Sequence, residues 1–151
     1  MQNGGSNTDG MQAMPISYAA NMHYLGYNGQ AGNSEAIVQS PSIKILLGET
    51  SAGQTTIGAA DWTGPDIWLE RGYSGHLGTA NYLFGDGHVK SLQPTRTMGT
   101  GFNMWGAFTD TTGPSCSATG WNAGADAGNP NCDSPSAGAS NALAALANKY
   151  K

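Results

Sequence analysis

Charge is scarce in this sequence. Asp, Glu, Lys and Arg make up 11% of its 151 residues, where a soluble domain ordinarily carries about a quarter. The six Lys and Arg are scattered and outnumbered by ten Asp and Glu, for a formal net charge of −4. Without a basic patch there is nothing to meet a phosphate backbone, so nucleic acid is not an expected partner. No apolar run approaches the ~20 residues of a membrane-crossing helix, so no membrane span is expected in this chain. The opening Met1-Gln-Asn-Gly-Gly-Ser is neither basic nor apolar and does not read as a signal peptide; an export signal is expected upstream or already removed. Cysteine is limited to two residues, too few and too far apart for a paired-Cys zinc site. No Gly-x-Ser-x-Gly elbow is present, and no nucleophile is matched to a base by spacing, so the chain is not expected to be an enzyme.

What replaces charge is glycine and small neutral polar residues. Gly occurs 23 times, about twice its usual ~7% share, and Ser, Thr, Asn and Ala fill much of the rest. Such a surface suits an extracellular protein that mostly meets copies of itself, because small uncharged groups approach without repulsion or heavy desolvation. The length fits a single domain over 1–151. Cys116 and Cys132 bracket a Gly-, Asn- and Pro-rich stretch with too few apolar residues to order itself, and they are expected to pair as a disulfide. Closing a loop of that size stabilises by about 3 kcal/mol in the chain-entropy model.

The most informative stretch is His76-Leu-Gly-Thr-Ala-Asn-Tyr-Leu-Phe-Gly-Asp86-Gly87-His88-Val-Lys90. Asp86-Gly87 is a two-residue turn signal between two strand-like runs, so a β-hairpin is predicted over 79–92. With that pair at the tip, Phe84 faces Val89 and Tyr82 faces Ser91. The Phe84–Val89 pair then forms the buried centre, worth roughly 0.2–1 kcal/mol. A lone hairpin is marginal in water and must join a larger sheet or pack under a helix. Elsewhere, 16–25 alternates loosely as a strand. Asn33 or Ser34 can cap a short helix over 35–39 that Pro41 stops. Residues 43–49 read as the cleanest strand, 50–75 as a polar insertion and 98–139 as a long loop region. Residues 140–150 read as a helix capped by Ser140, with Leu143 and Leu146 on one face.

Several constellations are open to a chemical reading. His76, His88 and Asp86, with Glu49 as a fourth group, are metal-type ligands. The competing and preferred reading is that Asp86 makes the turn while the His side chains form hydrogen bonds near the hairpin mouth. Asp110, Asp126 and Asp133 lie in oxygen-rich loops that would suit a structural calcium ion, though no ligand spacing identifies one. Beyond that option, no cofactor is expected. Asp61, Asp66 and Glu70 beside Trp62 and Trp68 have no spacing that selects sugar hydrolysis over solvated loop residues. The aromatics, Trp62, Trp68 and Trp105 among them, could stack on sugar rings. They are better read as anchors for long loops or for neighbouring subunits, Trp105 and Trp121 in particular.

The stretch His76 to Val89 resembles the signature of bacterial prepilin-type proteins marked by His, nine intervening residues, then Asp-Gly. His76, Gly78, Asn81, Phe84, Asp86, Gly87 and His88 fit its pattern. Upstream, Ser17-Tyr-Ala-Ala-Asn21 and Pro41-Ser42 leading into Ile45-Leu-Leu-Gly-Glu49 resemble it in content and order. The likeness covers about 16–92; the extension over 93–151 lies outside it. It implies kinship with type IV pilins and type II secretion pseudopilins: an α+β, antiparallel-sheet globular head of pilin-like type, here with long Gly-rich loops and a short C-terminal helix. The N-terminal apolar helix of that family is absent from this chain and is expected to be upstream, removed, or supplied by a separate polypeptide. The implied function is structural, a subunit assembling with copies of itself into a pilus-like filament or secretion pseudopilus at the cell surface. The alternative is a secreted monomeric adhesin or carbohydrate-binding module using its Trp residues.

Overall fold

In the computed structural model, the described residues are 18–27, 30–31, 34–50, 56–57, 72–112, 132–135 and 137–150. They form an α+β arrangement. Its centre is a sheet of β1 (Tyr18–Asn21), β4 (Ile45–Glu49), β6 (Ala80–Phe84) and β7 (Val89–Leu92), antiparallel throughout. The short β5 (Thr56–Ile57) is added in parallel beside β1, giving the order β5-β1-β4-β6-β7. Two small ribbons, β2 (Gly26–Tyr27) with β3 (Gln30–Ala31) and β8 (Met98–Gly99) with β9 (Phe102–Asn103), stand apart from it. A single helical turn, α1 (Met22–Leu25), follows β1, and α2 (Ala137–Lys149) closes the fold.

Local chemistry explains most of these boundaries. The strand expected over 16–25 ends at Asn21, because the Asn21 side chain turns the backbone: its Oδ1 accepts the His23 N–H at 3.0 Å. Its Nδ2 donates across the fold to the carbonyls of Ile45 (2.7 Å) and Trp105 (2.9 Å). Ser34 caps the next turn as expected, accepting from Ala36 N at 3.3 Å, but the helix is a short 3-10 turn, Glu35–Ile37. The first turn ends at Ile37, with Val38 already extended, so Pro41 is not what stops it; the proline instead opens a second 3-10 turn, Pro41–Ile43.

The 79–92 hairpin is present, with its register displaced by one residue from the sequence reading. Leu83 faces Val89, Tyr82 faces Lys90 and Asn81 faces Ser91. The loop holds three residues, not two. Gly87 N donates to Phe84 O and Phe84 N donates to His88 O, both at 2.9 Å, which closes Gly85-Asp86-Gly87 as the tip. Gly87 takes φ +93°, the left-handed residue that follows a turn in three-residue hairpins. Gly85 is needed for a different reason: a Cβ there would collide with the Tyr24 hydroxyl. The one-residue slip moves side chains to the opposite face. Phe84 is buried while Val89 is 64% exposed, so the expected Phe84–Val89 core pair does not form.

The inner face of the sheet presents Ala19, Ile45, Ala80, Tyr82 and Phe84. It is covered by Met98 and Trp105 from the segment after β7 and by Ala139, Ala142 and Leu143 of α2, which together make the main core. Leu143 and Leu146 are buried on one face of α2, as the sequence indicates. The helix starts earlier than expected, at Ala137, which puts Ser140 inside it instead of at its cap.

Candidate functional site

The resemblance motif folds into two His–carboxylate contacts at opposite ends of β6. At the first, Glu49 at the end of β4 has a buried carboxylate. Its Oε2 accepts the backbone N–H of Asn81 at 2.7 Å, and its Oε1 accepts from His76 Nε2 at 3.2 Å and, more distantly, from Asn81 Nδ2 at 3.4 Å. The backbone of Glu49 also accepts from Tyr73 N at 3.0 Å. One acidic side chain therefore ties the strand end to the segment leading into the hairpin. A tight reversal, His76-Leu77-Gly78-Thr79, presents the histidine: the His76 and Thr79 backbones exchange both hydrogen bonds, with Leu77 at φ +55° and Gly78 at φ +81°. Tyr73 meets the His76 ring edge-on at 5.5 Å and the Tyr150 ring at 5.1 Å, which brings the end of α2 to the same corner.

At the second contact, Asp86 in the hairpin tip accepts from His88 twice, from its backbone N at 3.2 Å and from its Nδ1 at 2.6 Å. The backbone bond, then the ring bond, hold the Asp86 carboxyl below the ordinary carboxylate range. The His88 ring stacks flat on Phe84 at 4.4 Å, so the exposed turn is clipped to a buried core residue. The two contacts stay separate. Among the described residues no three His, Cys, Asp or Glu groups converge on a metal position. His76, His88, Asp86 and Glu49 are thus not brought together as one ligand set. Each pair closes a backbone feature, as the turn reading has it.

A third polar cluster has no local sequence signal. Lys44, just before β4, is fully buried and donates from Nζ to the carbonyls of Asn103 (2.8 Å) and Phe108 (2.9 Å) and to Asp133 Oδ1 (2.7 Å). Burial lowers the Lys44 pKa, while the Asp133 hydrogen bond and charge oppose that shift. Asp133 Oδ1 also accepts from Asn103 N at 2.8 Å, and Asp133 N donates to Asp110 O at 2.7 Å. Asn103 is spent within the same cluster: Nδ2 donates to Cys132 O at 3.1 Å and Oδ1 accepts from Trp105 N at 2.9 Å. The Asp133 carboxylate, offered by the sequence as a calcium ligand, instead faces an ammonium ion. Asp110 meets Asp133 through its backbone, and Asp126 lies outside the described residues.

Trp105 needs a correction. It is 1% exposed, stands edge-on to Tyr82 at 5.8 Å, and donates from Nε1 to Thr97 Oγ1 at 2.9 Å. Such a buried indole is a core residue; it can neither anchor a neighbouring subunit nor stack on a sugar. Trp62, Trp68 and Trp121 lie outside the described residues. Cys132 is fully buried and is not a free thiol; Cys116, its expected partner, also lies outside them. No helix among the described residues is long and apolar enough to cross a membrane. Compared with family models, with curated proteins and with solved structures, the chain has no match in any of the three.

Proposed function

We propose that this chain is the globular head of an extracellular structural subunit, assembling with copies of itself into a pilus-like filament or secretion pseudopilus. An N-terminal helix that precedes this head or comes from a separate polypeptide would complete the subunit, and a Cys116–Cys132 bridge would hold its loop-rich extension. The observation that carries the reading is the outer face of the sheet. There Ala20, Leu47, Leu83 and Val89 stand directly opposite one another across four successive strands. The first three are half-buried and Val89 is exposed, with Tyr18 beside them 52% exposed. A continuous apolar row across a sheet face is the surface a helix packs on. The motif residues support the same reading, because His76, Glu49, Asn81, Asp86 and His88 stiffen a hairpin and offer no convergent reactive groups.

Electron microscopy of the protein expressed from its whole reading frame tests the proposal. Filaments with an axial repeat are the expected result, and Val89→Lys, at an exposed position, is expected to abolish them without changing the fold. A monodisperse monomer that retains a glycan on an array would overturn it in favour of a binding module.

A further inference from the structure

We infer that Lys44 and Asp133 are the two halves of an intramolecular isopeptide bond, formed by condensation of the Lys44 amine with the Asp133 carboxyl. Three observations converge on the pair. The reacting groups touch, at 2.7 Å between Nζ and Oδ1, with side chains only 1% and 8% exposed. Proximity of this kind, fixed and shielded from water, converts a slow bimolecular condensation into an intramolecular step. The amine is also oriented. When the ion pair passes one proton from Nζ to the carboxylate, the two N–H bonds that remain are held by the carbonyls of Asn103 and Phe108, and the lone pair is left facing Asp133. Finally, the carboxyl is polarised. Asn103 N donates to Oδ1 at 2.8 Å, where negative charge develops as nitrogen adds to carbon.

The step balances without any other reactant. In the reacting acid the transferred proton sits on Oδ2: Nζ bonds to Cγ, a second Nζ proton moves to the Oδ2 hydroxyl, Oδ2 leaves as water, and the Cγ–Oδ1 double bond re-forms. Nothing is oxidised or reduced. Burial lowers the Lys44 pKa and so favours the neutral amine that the addition requires. The product would join the head of the central strand β4 to a segment 89 residues away, at the point where Asp133 meets the end of the 98–112 stretch.

Intact mass of the reduced, denatured wild-type protein tests this. The expected mass is lower than the sequence mass by one water, and a proteolytic digest is expected to carry the peptides around Lys44 and Asp133 as one branched species. Lys44→Met and Asp133→Ala are each expected to restore the full mass, a readout independent of whether either variant folds. Wild-type protein at full sequence mass overturns the inference. So does a water loss that persists in Lys44→Met, which would place the dehydration elsewhere.

Discussion

The hairpin of β6 and β7 and the glycine-rich stretch behind it exchange the roles that their sequences suggest. The hairpin has the strongest local pattern in the chain, yet its second strand is an exposed edge: Val89, Lys90 and Ser91 are all accessible. The segment after Leu92 looks like loop up to its terminal helix, yet that loop delivers Met98 and Trp105 to the main core beside Ala139, Ala142 and Leu143 of α2, and Asp133 to Lys44. Local pattern strength and contribution to the core are thus different quantities. The hairpin supplies a surface to build on, and the extension supplies what that surface buries.

The largest effects are expected where the extension enters the core. Trp105→Ala removes the largest fully buried side chain among the described residues and the partner of the Thr97 hydroxyl. Loss of a buried Trp costs about 3–5 kcal/mol, so chemical denaturation of the variant should show a marginal or unfolded head. Lys44→Met is expected to lie in the same range, about 3–5 kcal/mol, because it leaves the Asp133 carboxylate buried without its cation. If Trp105→Ala unfolded only the extension and left the hairpin amides protected in hydrogen exchange, the two regions would be separable and the comparison would break.

How much of this was legible follows from the range of each interaction. Signals that act within a few residues were readable: Ser34 as a cap, Asp86-Gly87 as a reversal, Leu143 and Leu146 as one helix face. The register was missed by one because Gly85 belongs to the loop as well, and a Gly-Asp-Gly tip admits the three-residue turn as readily as the two-residue one. The separation of Glu49–His76 from Asp86–His88 depends on the length of β6, which holds the two ends of the motif apart. Lys44, Asn103 and Asp133 carry no pattern at all. They are 59 and 89 residues apart along the chain, and only the fold brings them together. Trp105 was misplaced because it lies, with Phe102, Met104 and Phe108, in a Gly- and Thr-rich stretch that reads as loop; its partners, Tyr82 and Thr97, come from a strand and a turn that its local sequence does not announce.

Effects of intermediate size belong to the hairpin tip. Gly87→Val puts a β-branched side chain at φ +93°, which is expected to cost about 1–3 kcal/mol, although nothing lies within contact distance of the new Cβ. Open space with a large loss would identify backbone strain as the cause; an unchanged melting temperature would contradict the turn. Val89→Thr, two residues on, is expected to change stability by less than about 0.5 kcal/mol, as exposed positions do. That near-zero value, set beside Trp105→Ala, measures the contrast between the two regions directly.

The smallest effect expected is at Asp86, and it is visible only through pH. The carboxyl is held below its usual range in the folded state by the His88 backbone and ring N–H groups. A folded pKa below the unfolded one means that the unfolded chain takes up the proton first as pH falls. The stabilisation is therefore complete above the ordinary carboxylate range, near pH 4, and is lost as pH drops through it toward the lower folded value. Solvent exposure of the group keeps the contribution small. Denaturation midpoints of wild type and Asp86→Asn should nearly coincide at neutral pH, since an amide oxygen can still accept the turn hydrogen bonds, and the variant should show the shallower decline in acid. Equal acid slopes for the two proteins would mean that the His88 clip on the tip contributes through Phe84 stacking alone, and His88→Ala would then weaken the hairpin equally at every pH.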